Sequence, residues 1–238
     1  MAEALRHAGY ACNARVEIRW IDSETITEET VGETLAGCDG IIVPGGFGDR
    51  GVEGMIVTAR YAREHDLPYL GICLGMQVAV IEFARHVCGL PDATSGEFDP
   101  SSPHKVIDFL PDQDETVSKG GTLRLGAYPC RIAEGTVMRR CYGTEEIRER
   151  HRHRYEFNND YRELLQDKGL CLCGRSPDGY IVEAVELGEK RFFVGVQFHP
   201  EFKSRPNHPH PLFVGLISAS LGGVIHGEDP DPGFRRTV

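Results

Sequence analysis

A chain of 238 residues is about the size of one large α/β domain and is long enough to bury a core without disulfide or metal staples. Its formal charge of -10 is spread along the sequence, which argues against a non-specific nucleic-acid or membrane surface, and no apolar run of about 18 residues or secretory leader occurs. The eight cysteines are irregularly spaced, with no C-x-x-C pair to suggest zinc, so they read as reduced residues of a soluble, cytoplasmic protein.

In chain order, "MAEALRHAGY" (Met1–Tyr10) has the pattern of the latter part of an amphipathic helix ended by Gly9. A doubly wound domain usually opens on a strand, so that strand, or a whole domain, is expected ahead of Met1 in the natural protein. "RVEIRWID" (Arg15–Asp22) alternates with period two and predicts a strand. "DGIIVPGG" (Asp39–Gly46) is a short apolar run closed by proline and glycine, and Val52–Arg63 is helical. "PYLGIC" (Pro68–Cys73) is a second buried run, followed by the helical "LGMQVAVIEFARHV" (Leu74–Val87). This βαβα order predicts an α/β fold with a doubly wound, mostly parallel sheet and helices on both faces.

The middle of the chain is different. Between Lys105 and Arg175 the shorter strands "HKVIDFL", "GTLRLGAYPCRI" and "HRHRYEF" predict an additional antiparallel region, with one helical segment at Tyr161–Asp167. "YIVEAVEL" and "RFFVGVQF" return to strand, and a helix at Pro211–Ser220 closes a single domain over 1–222. Residues 223–238, ending "GEDPDPGFRRTV", are a polar tail expected to be disordered.

Three stretches carry chemistry. Gly71-Ile72-Cys73-Leu74-Gly75 is G-x-C-x-G at a strand-to-helix junction, the thiol counterpart of the nucleophile elbow. Flanking glycines let strand and helix close around a strained residue, and the helix N-terminus favours a thiolate there. "VGVQFHPEF" (Val194–Phe202) ends a buried strand in His-Pro-Glu: Pro200 biases His199 toward extended backbone, and a spacing of two places Glu201 on the same side to hold the imidazole. "VPGGFGDRG" (Val43–Gly51) exposes backbone amides that suit an oxyanion, with the amide of Leu74 as the second donor. It is neither a dinucleotide fingerprint nor a P-loop.

Together "PGGFG", "GICLGMQ" and "QFHPEF" resemble the class I, triad-type glutamine amidotransferases. "RGVEGMI", "GEFDP", "GGTLRLG" and "RHRHRYEFNN" are similar, more narrowly, to the glutaminase domains of the CTP synthase family, and the likeness runs from about Ala2 to Gly222. The resemblance implies a flavodoxin-like fold, Cys73 as nucleophile, and His199 and Glu201 as its base and orienting carboxylate. It further implies that L-glutamine is held by Gly46, by the Leu74-Gly75-Met76-Gln77 turn, by Glu97 and by Arg154. An acid and an arginine suit the α-ammonium and α-carboxylate of a free amino acid. No cofactor is implied for this chain: ATP, Mg²⁺ and UTP belong to an N-terminal synthase domain of the same polypeptide, which this chain lacks, and the full-length protein is expected to be a homotetramer.

Where that family usually reads Ser-Thr-Glu-Phe, this sequence has Ser95-Gly96-Glu97-Phe98, so the loop presenting Glu97 is expected to be looser. Two other readings stand beside the first. One is another cysteine hydrolase of the same fold, such as a γ-glutamyl hydrolase, against which "RHRHRYE" and "GGTLRLG" count. The other is a non-catalytic regulatory domain, against which the intact Cys, His and Glu set counts.

Overall fold

The computed structural model describes residues 1–109 and 124–223. In chain order the helices are α1 Ala2–Ala11, α2 Val31–Thr34, α3 Val52–Glu64, α4 Leu74–His86, α5 Val137–Tyr142, α6 Arg162–Asp167 and α7 Pro211–Ser220. The strands are β1 Ile41–Val43, β2 Tyr69–Ile72, β3 Thr94–Ser95, β4 Lys105–Asp108, β5 Arg124–Ile132, β6 Glu146–His153, β7 Glu156–Phe157, β8 Cys171–Arg175, β9 Val182–Glu186 and β10 Phe193–Val196.

Seven strands form one sheet in the order β1-β2-β10-β9-β8-β5-β6, and β3-β4-β7 form a small second sheet. The apolar runs β2 and β10 are buried along their whole length, as strands covered on both faces must be. Successive side chains of β2 leave by opposite faces: Tyr69 enters the core that holds Ile56 and Val80, whereas Leu70 and Ile72 enter the core that holds Phe213 and Leu216. Helices α3 and α4 therefore cover one face and α1 and α7 the other.

The α/β class, the helices on both faces and the antiparallel region are as the sequence predicts, but the balance is not that of a mostly parallel sheet. Among the described residues of the seven-stranded sheet, β1–β2 and β2–β10 pair in parallel, whereas the ladders from β10 outward to β6 are antiparallel. The strands of the middle region divide between the two sheets: β5, β6 and β8 extend the large sheet through β9, while β4 and β7 pair in the small one.

Two local expectations are corrected. Arg15–Asp22 joins no ladder among the described residues, although its alternation survives as half-buried Val16 and Ile18 between exposed Arg15, Glu17 and Arg19. Period-two patterning prepares a face but supplies no neighbouring strand. Helix α1 does not end at Gly9 but runs to Ala11. Gly9 is there for close approach: the chain folds back over it, and a Cβ would lie 2.7 Å from Val16 Cγ2 and 2.9 Å from the Ala14 carbonyl oxygen. The tail from 224 and the "GGTL" of "GGTLRLG" lie outside the described residues.

Helix α4 sits so close to the sheet that Leu74 to Ala84 are all buried. Glycine makes this approach feasible. A Cβ on Gly71 would stand 2.5 Å from the Gly75 carbonyl oxygen, and one on Gly75 would stand 2.1 Å from that of Val43. Both obstacles are backbone and cannot swing aside. Gly75→Ala is therefore expected to cost at least about 3 kcal/mol, the upper end of overpacking penalties, or to prevent folding. Urea unfolding reads this directly, and a loss under about 1 kcal/mol would mean that α4 can lift off β1.

Candidate active site

Cys73 is the residue between β2 and α4, and its backbone has φ 53 and ψ -104, one of three non-glycine residues with positive φ among the described residues. The strand continues through it, because the Cys73 amide donates to the Val196 carbonyl at 2.7 Å, while its own carbonyl accepts the amides of Met76 and Gln77 and starts the helix. Strand pairing on one side and helix bonds on the other hold the strained conformation. The side chain is buried, at 5 % exposure, at the first turn of α4.

His199 follows β10 in extended backbone, φ -111 and ψ 84, and its amide donates to the Arg150 carbonyl of β6 at 2.8 Å. Glu201 lies in a short 3-10 turn, Pro200–Phe202, rather than in continuing extended chain. The turn still delivers the carboxylate: His199 Nδ1 lies 2.8 Å from Glu201 Oε1, and the Phe202 ring stacks on the imidazole at 5.3 Å. The glycine loop covers both groups. A Cβ on Gly45 would lie 2.8 Å from His199 Cε1 and 3.4 Å from Cys73 Cβ, and one on Gly46 would lie 3.0 Å from Leu74 Cδ2.

Burial works to lower the His199 pKa, but the sulfur of Cys73 and the Glu201 carboxylate favour the imidazolium more strongly and push it up to about 9. A pKa higher in the folded than in the unfolded chain means that protonation favours folding. The contribution is complete below about pH 6.5, where the unfolded imidazole is also charged, and is lost as pH rises through about 9. The melting temperature is thus expected to fall more between pH 6.5 and 9.5 in the native chain than in His199→Gln; equal falls would remove the ion pair from the account.

Of the remaining sequence-predicted residues, Glu97 and the first turn of α4 contact the glycine loop and Cys73, while Arg154 follows the end of β6. Glu97 Oε1 accepts the amide of Gly48 at 2.9 Å, so in this state the acid steadies the glycine loop. Its own loop is not loose: the Gly96 amide donates to the Ile107 carbonyl, the Glu97 amide to Ser95 Oγ, and the Phe98 and Asp99 amides to the Ser95 carbonyl. Glycine suits position 96 because a Cβ there would stand 2.5 Å from Asp108 Oδ1. Leu74, Gly75, Met76 and Gln77 form the first turn of α4, but Met76 points into the core and its amide is spent on Cys73. Gln77 Nε2 donates to the Tyr155 carbonyl at 3.2 Å, which draws the turn carrying Arg154 toward the site.

Strand β6 explains the "HRHRYE" stretch. Arg148, Arg150 and Arg152 point to solvent, while Ile147, Glu149, His151 and His153 alternate with them into the protein. His151 Nδ1 lies 2.8 Å from His153 Nε2, and burial foremost, with Arg124 nearby, pushes His151 down to about 3, so this pair is neutral. Arg124 binds Glu183 through two contacts of 2.8 and 3.0 Å and also touches Glu156. Burial pushes Glu156 up to about 8, against the pull of the same arginine, so it is largely protonated near neutrality.

Sequence reasoning did not single out Gln197 or Gly45. Gln197, fully buried, donates from Nε2 to Cys73 Sγ at 3.6 Å and accepts from Gln77 Nε2 at 3.2 Å. Its spacing of two from His199 was the available signal.

Comparison with known proteins fits this arrangement. The family described as glutamine amidotransferase class-I matches residues 1–219, and the chain belongs to that family. Within it the chain's relatives are CTP synthases: it is 62 % identical over 221 residues to that of Carboxydothermus hydrogenoformans, covering 93 % of this chain and 41 % of the relative, and 56 % identical over 221 residues to that of Bacillus subtilis, again covering 93 % and 41 %. The chain thus spans about two fifths of the length of these curated relatives. The glutaminase domain of Trypanosoma brucei CTPS, solved with bound acivicin, superposes with a TM-score of 0.88 at 40 % identity, over 93 % of this chain and 87 % of that one. A putative GMP synthase subunit from Thermoplasma acidophilum shares the fold, with a TM-score of 0.60 at 18 % identity over 92 % of this chain and 86 % of that one. No helix among the described residues is long and apolar enough to cross a membrane.

Proposed function

We propose that this chain hydrolyses L-glutamine to glutamate and ammonia through Cys73, His199 and Glu201, and that the ammonia serves the amination of UTP to CTP in a synthase domain ahead of it. The observation that carries the reading is a strained cysteine at the head of a buried helix, with an imidazole–carboxylate pair and a glycine loop closed around it. The Cys73 sulfur attacks the side-chain amide carbon of glutamine, and the carbonyl oxygen takes up charge facing the glycine loop and the Leu74 amide. As the C–N bond breaks, His199 gives its proton to the departing nitrogen, releasing ammonia and a γ-glutamyl thioester. Water then loses a proton to His199 as it attacks the thioester; the sulfur leaves and glutamate is released. Glu201 holds the ring throughout.

Gly46, Leu74, Gly75, Gln77, Glu97 and Arg154 bind the substrate in this reading, Met76 by backbone position only. ATP and Mg²⁺ serve the synthase domain, and this chain's own chemistry calls for no cofactor. The full-length protein is a cytoplasmic homotetramer on the same reading. The test is ammonia release from glutamine by this chain and by its full-length parent, with and without UTP and ATP. A parent that makes CTP from free ammonia but releases none from glutamine would overturn the assignment.

A further inference from the structure

One buried group at the site has no part in the reaction above. Gln197 is completely buried one residue past the end of β10, and a carboxamide there needs partners for its amide nitrogen and its carbonyl oxygen. Gln77 Nε2 meets the oxygen at 3.2 Å, and an N–H donor can meet only the oxygen, so the Gln197 amide nitrogen is turned the other way, onto Cys73 Sγ at 3.6 Å. Gln77 uses the same Nε2 group to reach the Tyr155 carbonyl, beside Arg154. Backbone pins both ends: the Gln197 amide donates to the Glu183 carbonyl at 2.9 Å, and the Gln77 amide to the Cys73 carbonyl at 3.2 Å.

We propose that Gln197 is a positioning residue that aims the Cys73 sulfur and links it, through Gln77, to the turn carrying Arg154. This rests on the reading of Cys73 as nucleophile and deepens it. A neutral amide suits the task because it donates to an anionic sulfur without competing with His199 for the proton. The bond holds the sulfur in line for attack, and because a thioester sulfur is a weaker acceptor it strengthens again as the sulfur leaves during deacylation. Its loss therefore falls on kcat rather than on KM.

The experiment compares the native chain with Gln197→Met, which keeps the volume but has no donor, and Gln197→Glu, which keeps an acceptor for Gln77 and, followed to about pH 9 so that a buried carboxyl ionises, loses the donor. Two readouts are taken: glutamine kinetics, and the rate at which iodoacetamide alkylates the Cys73 peptide, followed by mass spectrometry. Both variants are expected to lower kcat by roughly 10- to 100-fold, with KM changed less than about threefold, and to slow alkylation of Cys73 about tenfold. A role confined to packing would lower the melting temperature and leave both rates intact in the folded fraction. Native kcat and native alkylation in either folded variant would overturn the proposal, and if Gln197→Met does not fold, Gln197→Glu decides. The alkylation arm reads Gln197 whatever the substrate is. A native chain that is alkylated at Cys73 but releases no ammonia would sink the glutaminase reading alone.

Discussion

Cys73→Ala and Cys73→Ser are each expected to abolish ammonia release from glutamine while the chain remains folded. The acyl-enzyme needs sulfur as the attacking atom, and a serine hydroxyl in the same place is far harder to ionise. The fold tolerates the change because the strain at φ 53 belongs to any residue with a Cβ, and the strand and helix bonds that impose it are backbone. Glycine is the exception. Its mirror-image conformations are unstrained, so Cys73→Gly is expected to be inactive yet about 1 kcal/mol more stable than Cys73→Ala. That inversion, stability gained as function is lost, is what a backbone held strained for chemistry predicts. A glutamine-analogue diazo-ketone should also label Cys73 alone among the eight cysteines. Burial pushes the Cys141 thiol up to about 12 and raises those of Cys12, Cys88, Cys130, Cys171 and Cys173, which leaves them poor nucleophiles near neutrality. First labelling at another cysteine would overturn the assignment of the nucleophile.

The parts of the site that were legible in the sequence are those made by neighbours in the chain. G-x-C-x-G forces an elbow because both glycines meet backbone, and His-Pro-Glu brings imidazole and carboxylate together within three residues. What pairs across the chain was not legible. Glu97 and Gly48 are 49 residues apart, Gln197 and Cys73 are 124 apart, and no local pattern marks either contact. The same limit shaped the fold. Periodicity found β1, β2, β4, β5, β9 and β10 and the helices α1, α3, α4, α6 and α7, but pairing direction is set by the neighbour, so the antiparallel share of the sheet was underestimated. "HRHRYE" is the instructive case, for a basic composition by itself reads as solvated. Half of it is solvated; His151, His153 and Glu156 are buried because Arg124 and Glu183 on other strands complete a polar network around them.

Arg154 and His199 are expected to fail in different ways. If Arg154 grips the α-carboxylate of glutamine, it does so equally in the ground state and in the transition state, since neither the carboxylate nor its charge changes during amide cleavage. Arg154→Ala should then raise KM, with a smaller fall in kcat. Losing one charge-assisted contact of this kind costs about 2 to 3 kcal/mol, roughly 30- to 150-fold in kcat/KM. His199 acts only as bonds break, so His199→Ala should lower kcat at least about 1000-fold with KM little changed. Glu201→Gln should fall between, because the neutral amide still orients the ring but no longer favours the imidazolium. In the full-length parent, ammonia supplied directly is expected to bypass all three defects, because in the proposed reaction it reaches the acceptor without passing through Cys73. Ammonia-dependent CTP formation impaired by Arg154→Ala as severely as the glutamine-dependent reaction would assign the arginine to the fold or to the nucleotide side instead.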